Sequence, residues 1–310
     1  MNAAETRPSR ATTWRRLARR IARRIALAGL LFVALAVASC KGKASPLADA
    51  KLEFRDEGRL VSTLTVAELT QKIQLETFTA YDPYYGKPKT FRAFPFDKVL
   101  RLGFPGNQNL DERELVLRAK DGYTVPMRPP LSAEPGAYIA IEDLDVPSWE
   151  PIGPQRVSPG PFYFVWKEPS QQNLETHPRP WQLAQIEIAR FEVKFPHTVP
   201  TGEAPGSSAS IGFGLFRDRC VRCHAINREG GRVGPDLNVP KNVLEYRTEA
   251  EVRAYVKNPR ALRYSNMPAH PDLSEQDLDG LVGYLSSMKS RKFDAEAQAA
   301  PAVPAPGSKD

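Results

Sequence analysis

Two of the three cysteines and one of the four histidines of this 310-residue chain fall within five positions, Cys220-Val221-Arg222-Cys223-His224. At this spacing thiols and imidazole can bind zinc, cycle between dithiol and disulfide, or serve as attachment points for a porphyrin. A zinc site would need a second ligand pair, and a redox dithiol would need a βαβ surround; the sequence offers neither. Porphyrin attachment needs two thiols one helical turn apart, so that both reach vinyl groups on one edge and form thioethers. It also needs an imidazole beside them to lie under the iron. The motif therefore reads as the site of one covalent haem c, with Cys220 and Cys223 as thioether positions and His224 as an iron ligand.

The elements that must hold such a group are helical. From Ser210 to about Lys289 the apolar spacing is that of helices. Gly212 and Phe216 stand eight and four residues before Cys220, and Leu281, Tyr284 and Leu285 carry the apolar and aromatic positions of a last helix. On these residues the segment 208–290 resembles the class I cytochromes c. The resemblance implies an all-α domain whose first and last helices cross, with Gly212 letting the backbones approach. It also implies that Pro235, in Gly234-Pro235-Asp236-Leu237, accepts a hydrogen bond from the His224 ring, which orients the ring and raises its basicity.

The same resemblance calls for a Met ligand in a loop ahead of the final helix. Asn266-Met267-Pro268 lies seven residues before Ser274, an N-cap candidate for that helix, and Val256-Lys257-Asn258-Pro259 is similar to the helix end and Asn-Pro step that many bacterial members place before the Met. Met267 is the expected distal ligand; His270 is its competitor, and Met288, inside the last helix, a weaker one. His/Met ligation fills both axial positions and raises the potential, so the expected role is electron transfer, a carrier rather than a catalyst. An open or labile sixth position would instead suit a haem sensor.

Arg217, Arg219, Arg222, Arg228 and Arg232 crowd the attachment region, and residues 206–292 hold 14 basic against 10 acidic residues. Such a field would steer redox donor and acceptor proteins with an acidic docking face.

The formal charge of +7 invites a nucleic-acid reading, but its placement removes it. Residues 1–39 hold eight Arg against Glu5 alone, which leaves 35 basic and 35 acidic residues from position 40 onward. The Arg-rich start runs into the apolar stretch Ile25 to Ser39, which reads as an export signal. That stretch is 15 residues, short of the ~20 needed to span a bilayer. Val37-Ala38-Ser39-Cys40 resembles the lipobox of bacterial lipoproteins. It implies a mature chain starting at a lipidated Cys40, held on the periplasmic side of a bacterial membrane, and it leaves no cysteine pair for a disulfide.

The expected organisation is multidomain. A signal peptide (1–39) and a lipid-anchored tether (40–49) precede a β-rich α+β domain (50–197). A Pro/Gly/Ser-rich linker (198–209), the cytochrome c domain (210–290) and a disordered Ala/Pro tail (291–310) follow. Short alternating runs such as Leu60-Val61-Ser62-Thr63-Leu64 and Phe162 to Trp166 read as strands, Asp121-Gly122 as a hairpin turn, and Val66–Ile73 and Phe96–Leu102 as helices. His177 and His197, each beside a Pro, read as exposed loop residues.

Phe96 to Leu100, Lys120 to Tyr123, Gly160 to Val165, and Trp181 leading into Gln185 to Val193 are similar to segments of the molybdopterin-binding domain of sulfite-oxidase-like enzymes. That family binds molybdenum through a Cys thiolate, and residues 50–197 contain no Cys. The resemblance thus implies a fold kept without the cofactor, as a docking or ligand-binding module. A domain that does oxidise a small molecule and passes electrons to the haem is the rival reading.

Overall fold

The computed structural model describes residues 47–294. The expected signal segment, Cys40 and the tail from residue 295 lie outside the described residues. Among the described residues, no helix is long and apolar enough to cross a membrane.

Nine main strands form the first part: β1 (Lys51–Asp56), β2 (Arg59–Thr65), β3 (Glu76–Asp82), β4 (Lys87–Pro95), β5 (Leu115–Ala119), β6 (Thr124–Met127), β7 (Ala137–Asp143), β8 (Tyr163–Trp166) and β9 (Leu183–Ile188). Two short helices interrupt them, α1 (Val66–Lys72) and α2 (Phe96–Gly103), close to the two stretches expected. Thr65 starts α1 because its hydroxyl accepts the Glu68 N–H while the Glu68 carboxylate accepts the N–H of Thr65, a reciprocal cap. The strands make two sheets, one in the order β2-β1-β9-β5-β6 and one in the order β3-β4-β7-β8. All neighbours are antiparallel except β1 and β9, which run parallel with Phe54 opposite Ile186. The β5–β6 hairpin turns at Asp121-Gly122: Gly122 has φ +90°, and the Asp121 carboxylate accepts the N–H of Tyr123 at 2.9 Å.

Burial, more than alternation, marks the central strands. Leu115, Val116 and Leu117 are all buried, as are all four residues of β8, each large apolar side chain contributing roughly 1.5–3 kcal/mol. Two buried cations are enclosed by acceptors. Lys89 meets Asp143 at 2.7 Å and Glu150 at 3.1 Å. Arg179 meets Asp82 at 3.5 Å and donates to the carbonyl of Trp166.

The second part holds α3 (Phe191–Lys194), α4 (Ser208–Asp218), α5 (Glu249–Lys257), α6 (Pro259–Leu262) and α7 (Glu275–Met288). Helices α4 and α7 cross where Gly212 faces Gly280. A Cβ on Gly212 would stand 1.9 Å from the Gly280 carbonyl oxygen, so the crossing needs glycine there. Ser274 caps α7 with Asp277, as expected of it.

Among the described residues from 49 to 294, strands and helices form one compact unit. Val116 of β5, Phe191 and Phe195 share an apolar cluster with Phe216 of α4 and Tyr284 of α7. The connection after the strands is pinned. Thr198 is buried and its carbonyl accepts the Tyr284 hydroxyl at 2.7 Å, while Arg291 donates to the Thr201 carbonyl and the Glu203 carboxylate.

Candidate functional site

Helix α4 ends at Asp218, and a single tight turn, Cys220–Arg222, carries the chain to His224. Cys220, Cys223, His224, Pro235 and Met267 line one cavity of about 760 Å³, with Leu237, Val243, Val252, Val256, Leu281 and Leu285 as its apolar wall. Two thiols, an imidazole and a thioether thus converge on one apolar space.

The tautomer of His224 follows from its neighbour. Nδ1 lies 2.9 Å from the Pro235 carbonyl oxygen, which can only accept, so Nδ1 carries the proton and Nε2 keeps its lone pair. Burial holds the imidazole below its usual pKa, against the opposing pull of that carbonyl. The ring therefore stays neutral, the state a metal ligand requires. Gly234 allows the close approach: a Cβ there would lie 2.5 Å from Cε1 of the ring. Burial likewise pushes the Cys220 thiol up to about 12 and the Cys223 thiol up to about 11.

Three asparagines hold the loop that delivers Pro235. Asn242 donates to Asn238 and to the Leu285 carbonyl of α7, Asn238 donates to Asn227, and Asn227 donates to the carbonyls of His197 and Arg291. On the other wall, Ser265 Oγ accepts the N–H of Met267 at 3.1 Å and the Tyr255 hydroxyl at 2.9 Å, and Arg263 donates to Tyr255 at 3.2 Å. Neither network was visible in the sequence, where the only available signals were polar residues near the loops.

The two rival ligands stand elsewhere. His270 is buried outside the cavity lining; its Nδ1 accepts from Arg219 at 3.2 Å and lies 3.5 Å from Glu175. Met288, the last residue of α7, is buried in the apolar cluster and is not part of the cavity lining. His177 and His197 are not free in solvent. His177 packs on Trp166 and meets Glu134 at 3.2 Å, and His197 stacks on Phe293 and meets Glu229 at 2.6 Å.

The arginines near the motif are mostly neutralised. Arg217 pairs with Asp218, Arg219 with Glu175 and Asp272, and Arg228 with Asp294. Arg222 donates to the carbonyls of Leu174 and Glu175, at 3.1 and 2.6 Å. Its Nε, next in the chain to Cys223, is buried with no hydrogen-bond partner among the described residues. The strand-rich part also covers this side. The turn Cys220–Arg222 packs on β6, the Arg232 N–H donates to the Gly122 carbonyl, and Tyr84 and Tyr123 are close enough to Cys223 and Arg222 to feel their charge.

Residues 209–289 match the Cytochrome c family model. A segment of 89 residues is 36% identical to cytochrome c oxidase subunit 2 of Alkalihalophilus pseudofirmus, covering 26% of this chain and 26% of that protein. The match thus spans about a quarter of the relative's length. The helical part is a cytochrome c domain, which implies haem c binding, electron transfer through haem and redox partner proteins. The residues present suit that group. A haem would need an apolar cavity with thiols to join it and donors for its iron, and Cys220, Cys223, His224 and Met267 all line this one.

Proposed function

We propose that this chain is an exported carrier of single electrons, tethered on the periplasmic side of a bacterial membrane by lipid on Cys40. Cys220 and Cys223 would hold one haem c covalently, and His224 and Met267 would bind its iron. The observation that carries the reading is the convergence of these four side chains on one apolar cavity, with the His224 ring fixed by Pro235. Bound there, haem supplies a one-electron couple at its iron.

The protein's own residues prepare that couple. The Pro235 carbonyl holds Nε2 of His224 free of a proton and increases its electron donation. The Ser265 hydroxyl fixes the backbone of Met267, so the thioether is presented without a large reorganisation. Leu237, Val252, Val256, Leu281 and Leu285 keep water out, and a dry site with both axial donors supplied by the protein favours a higher potential and leaves no place for substrate.

The strand-rich part serves in this reading as a docking module built onto the haem domain rather than as a second catalyst. Its likeness to the molybdopterin-binding fold brings no thiolate, since residues 50–197 contain no Cys. A relative named as an oxidase subunit fits a chain that hands electrons to a catalytic partner.

Intact mass of the exported protein tests the assignment. The expected result is one haem and one lipid-modified Cys40 per chain, with the haem lost in the Cys220→Ala/Cys223→Ala double variant and membrane attachment lost in Cys40→Ser. More than one haem, haem surviving the double variant, or molybdenum in the purified protein would count against it.

A further inference from the structure

Three parts of the molecule meet at the carboxylate of Glu175. The segment that carries it lies between β8 and β9, where the Asn173 side chain accepts the N–H groups of Glu175 and Thr176 and fixes a tight turn. From the attachment region, Arg219 donates its Nε to Glu175 at 3.0 Å, and Arg222 stands 3.6 Å from the same carboxylate. From the loop after Met267, the His270 ring places Nδ1 3.5 Å from it. Arg219 also closes on that loop directly, through both oxygens of Asp272 at 2.7 and 3.1 Å and through Nδ1 of His270 at 3.2 Å. The residue before Cys220 and the residues after Met267 are thus tied to each other and to the strand-rich part.

Nδ1 of His270 sits between a group that only donates and one that, ionised, only accepts. A guanidinium has no lone pair to offer, so Nδ1 accepts from Arg219 and the ring is neutral, with its proton on Nε2. A proton on Nδ1 ends that bond, sets the imidazolium against the guanidinium and turns it toward Glu175. The charges around the ring are those of Arg219 and Arg222 against Glu175 and Asp272, which balance while the ring is neutral. Lys257 of α5 is occupied with the Leu273 carbonyl. Burial, with Arg219 and Arg222 beside it, holds His270 below its ordinary value against the pull of Glu175 and Asp272. The Arg219 bond is therefore complete above about pH 6.5 and is lost as pH falls through the depressed value.

We propose that Glu175 and His270 are positioning residues for the Met267 loop: through Arg219, the strand-rich part holds the loop against the attachment turn and releases it when His270 takes a proton. The inference rests on the His224/Met267 reading made above. It gives the strand-rich part a hand in iron ligation besides docking. The two are coupled because the same guanidinium that bonds Glu175 also bonds the loop.

The test is carbon monoxide binding to the ferrous full-length protein between about pH 8 and about pH 5. Carbon monoxide carries no proton and reaches the iron only after Met267 leaves, so its rate at saturating gas reports loop release. The iron–sulfur bond breaks, an iron–carbon bond forms and no electron moves. The parent's limiting rate should rise about fivefold toward acid. His270→Gln, whose amide oxygen still accepts from Arg219 but takes no proton, should keep the slow rate at every pH. Glu175→Gln should release the loop about threefold faster at about pH 8 and shift the remaining rise to lower pH, since the imidazolium loses its partner charge. His177→Gln, whose ring meets Glu134 instead, should follow the parent. Nitrogen-15 NMR should show Nδ1 of His270 gaining its proton over the range in which the parent's rate rises. A rise that survives His270→Gln, a flat parent profile, or parent-like behaviour of Glu175→Gln would overturn the proposal. The far-red thioether band of the ferric protein checks each variant, and its absence from the parent would instead remove the Met267 ligation on which the proposal rests.

Discussion

Ser265 holds Met267 by its backbone, with the serine hydroxyl accepting the methionine N–H at 3.1 Å and the Tyr255 hydroxyl at 2.9 Å. The sulfur is thus positioned by a loop whose geometry depends on two hydroxyls. Removing one should leave Met267 able to reach the iron but less firmly placed. Ser265→Ala should cost about 1 kcal/mol of preference for the ligated loop. Added imidazole, competing for the same position, should then bind roughly fivefold more tightly in an optical titration. Equal affinities in parent and variant would mean that the hydroxyl does not set the loop.

Gly212 and Gly280 make contact at the crossing of α4 and α7, but not symmetrically. A Cβ on Gly212 meets a backbone oxygen at 1.9 Å, whereas one on Gly280 meets its nearest neighbours at 3.1 and 3.2 Å. Gly212→Ala should therefore destabilise the protein by about 3 kcal/mol or more, and Gly280→Ala by about 1 kcal/mol. Denaturant titration of the haem-loaded protein gives both values, and a reversed order would show that the helices shift to relieve the first clash.

Much of the site was legible because it is local. Cys220, Cys223 and His224 lie in one turn, Pro235 follows at short range, and Met267 is fixed by the start of the next helix at Ser274. The strand-rich character and the Asp121-Gly122 turn were legible for the same reason. What the sequence concealed depends on contacts between distant residues. The attachment-side arginines read as a free positive field until Glu175 and Asp272 appeared beside Arg219. The 198–209 segment read as a separating linker by composition, yet Thr198 is tied to Tyr284, 86 positions later. The exposed Leu262 and Tyr264 gave no periodic signal, because one ends the four-residue α6 and the other stands in the loop after it.

Arg222 joins the two parts of the molecule through the carbonyls of Leu174 and Glu175. Its side chain is 11% exposed, so truncation leaves two acceptors with little access to water. Arg222→Ala should lower unfolding stability by about 2–4 kcal/mol, while Arg222→Lys, with a single reaching ammonium, should recover only part of it. A change below about 0.5 kcal/mol would show that the joint does not depend on this side chain.

Asp272 is held below the usual carboxylate range, chiefly by its bond to Arg219. A depressed carboxyl contributes stability that is present above the unfolded value of about 3.9 and is lost as pH falls through the folded one. The pair is exposed on the aspartate side, 61%, so its effect is small. Asp272→Asn should lower the unfolding temperature on the order of one degree at pH 7, and the two curves should converge as pH falls through the depressed folded value. A gap that persists in acid would assign the effect to packing rather than charge.

The proposed site depends on which side chains hold the iron, and the far-red charge-transfer band of ferric iron bound to a thioether reports this most directly. It should be present in the parent protein, absent in Met267→Leu, and retained in His270→Gln and Met288→Leu. A band that survives Met267→Leu, or a parent protein that lacks it while carrying covalent haem, would contradict the His224/Met267 site.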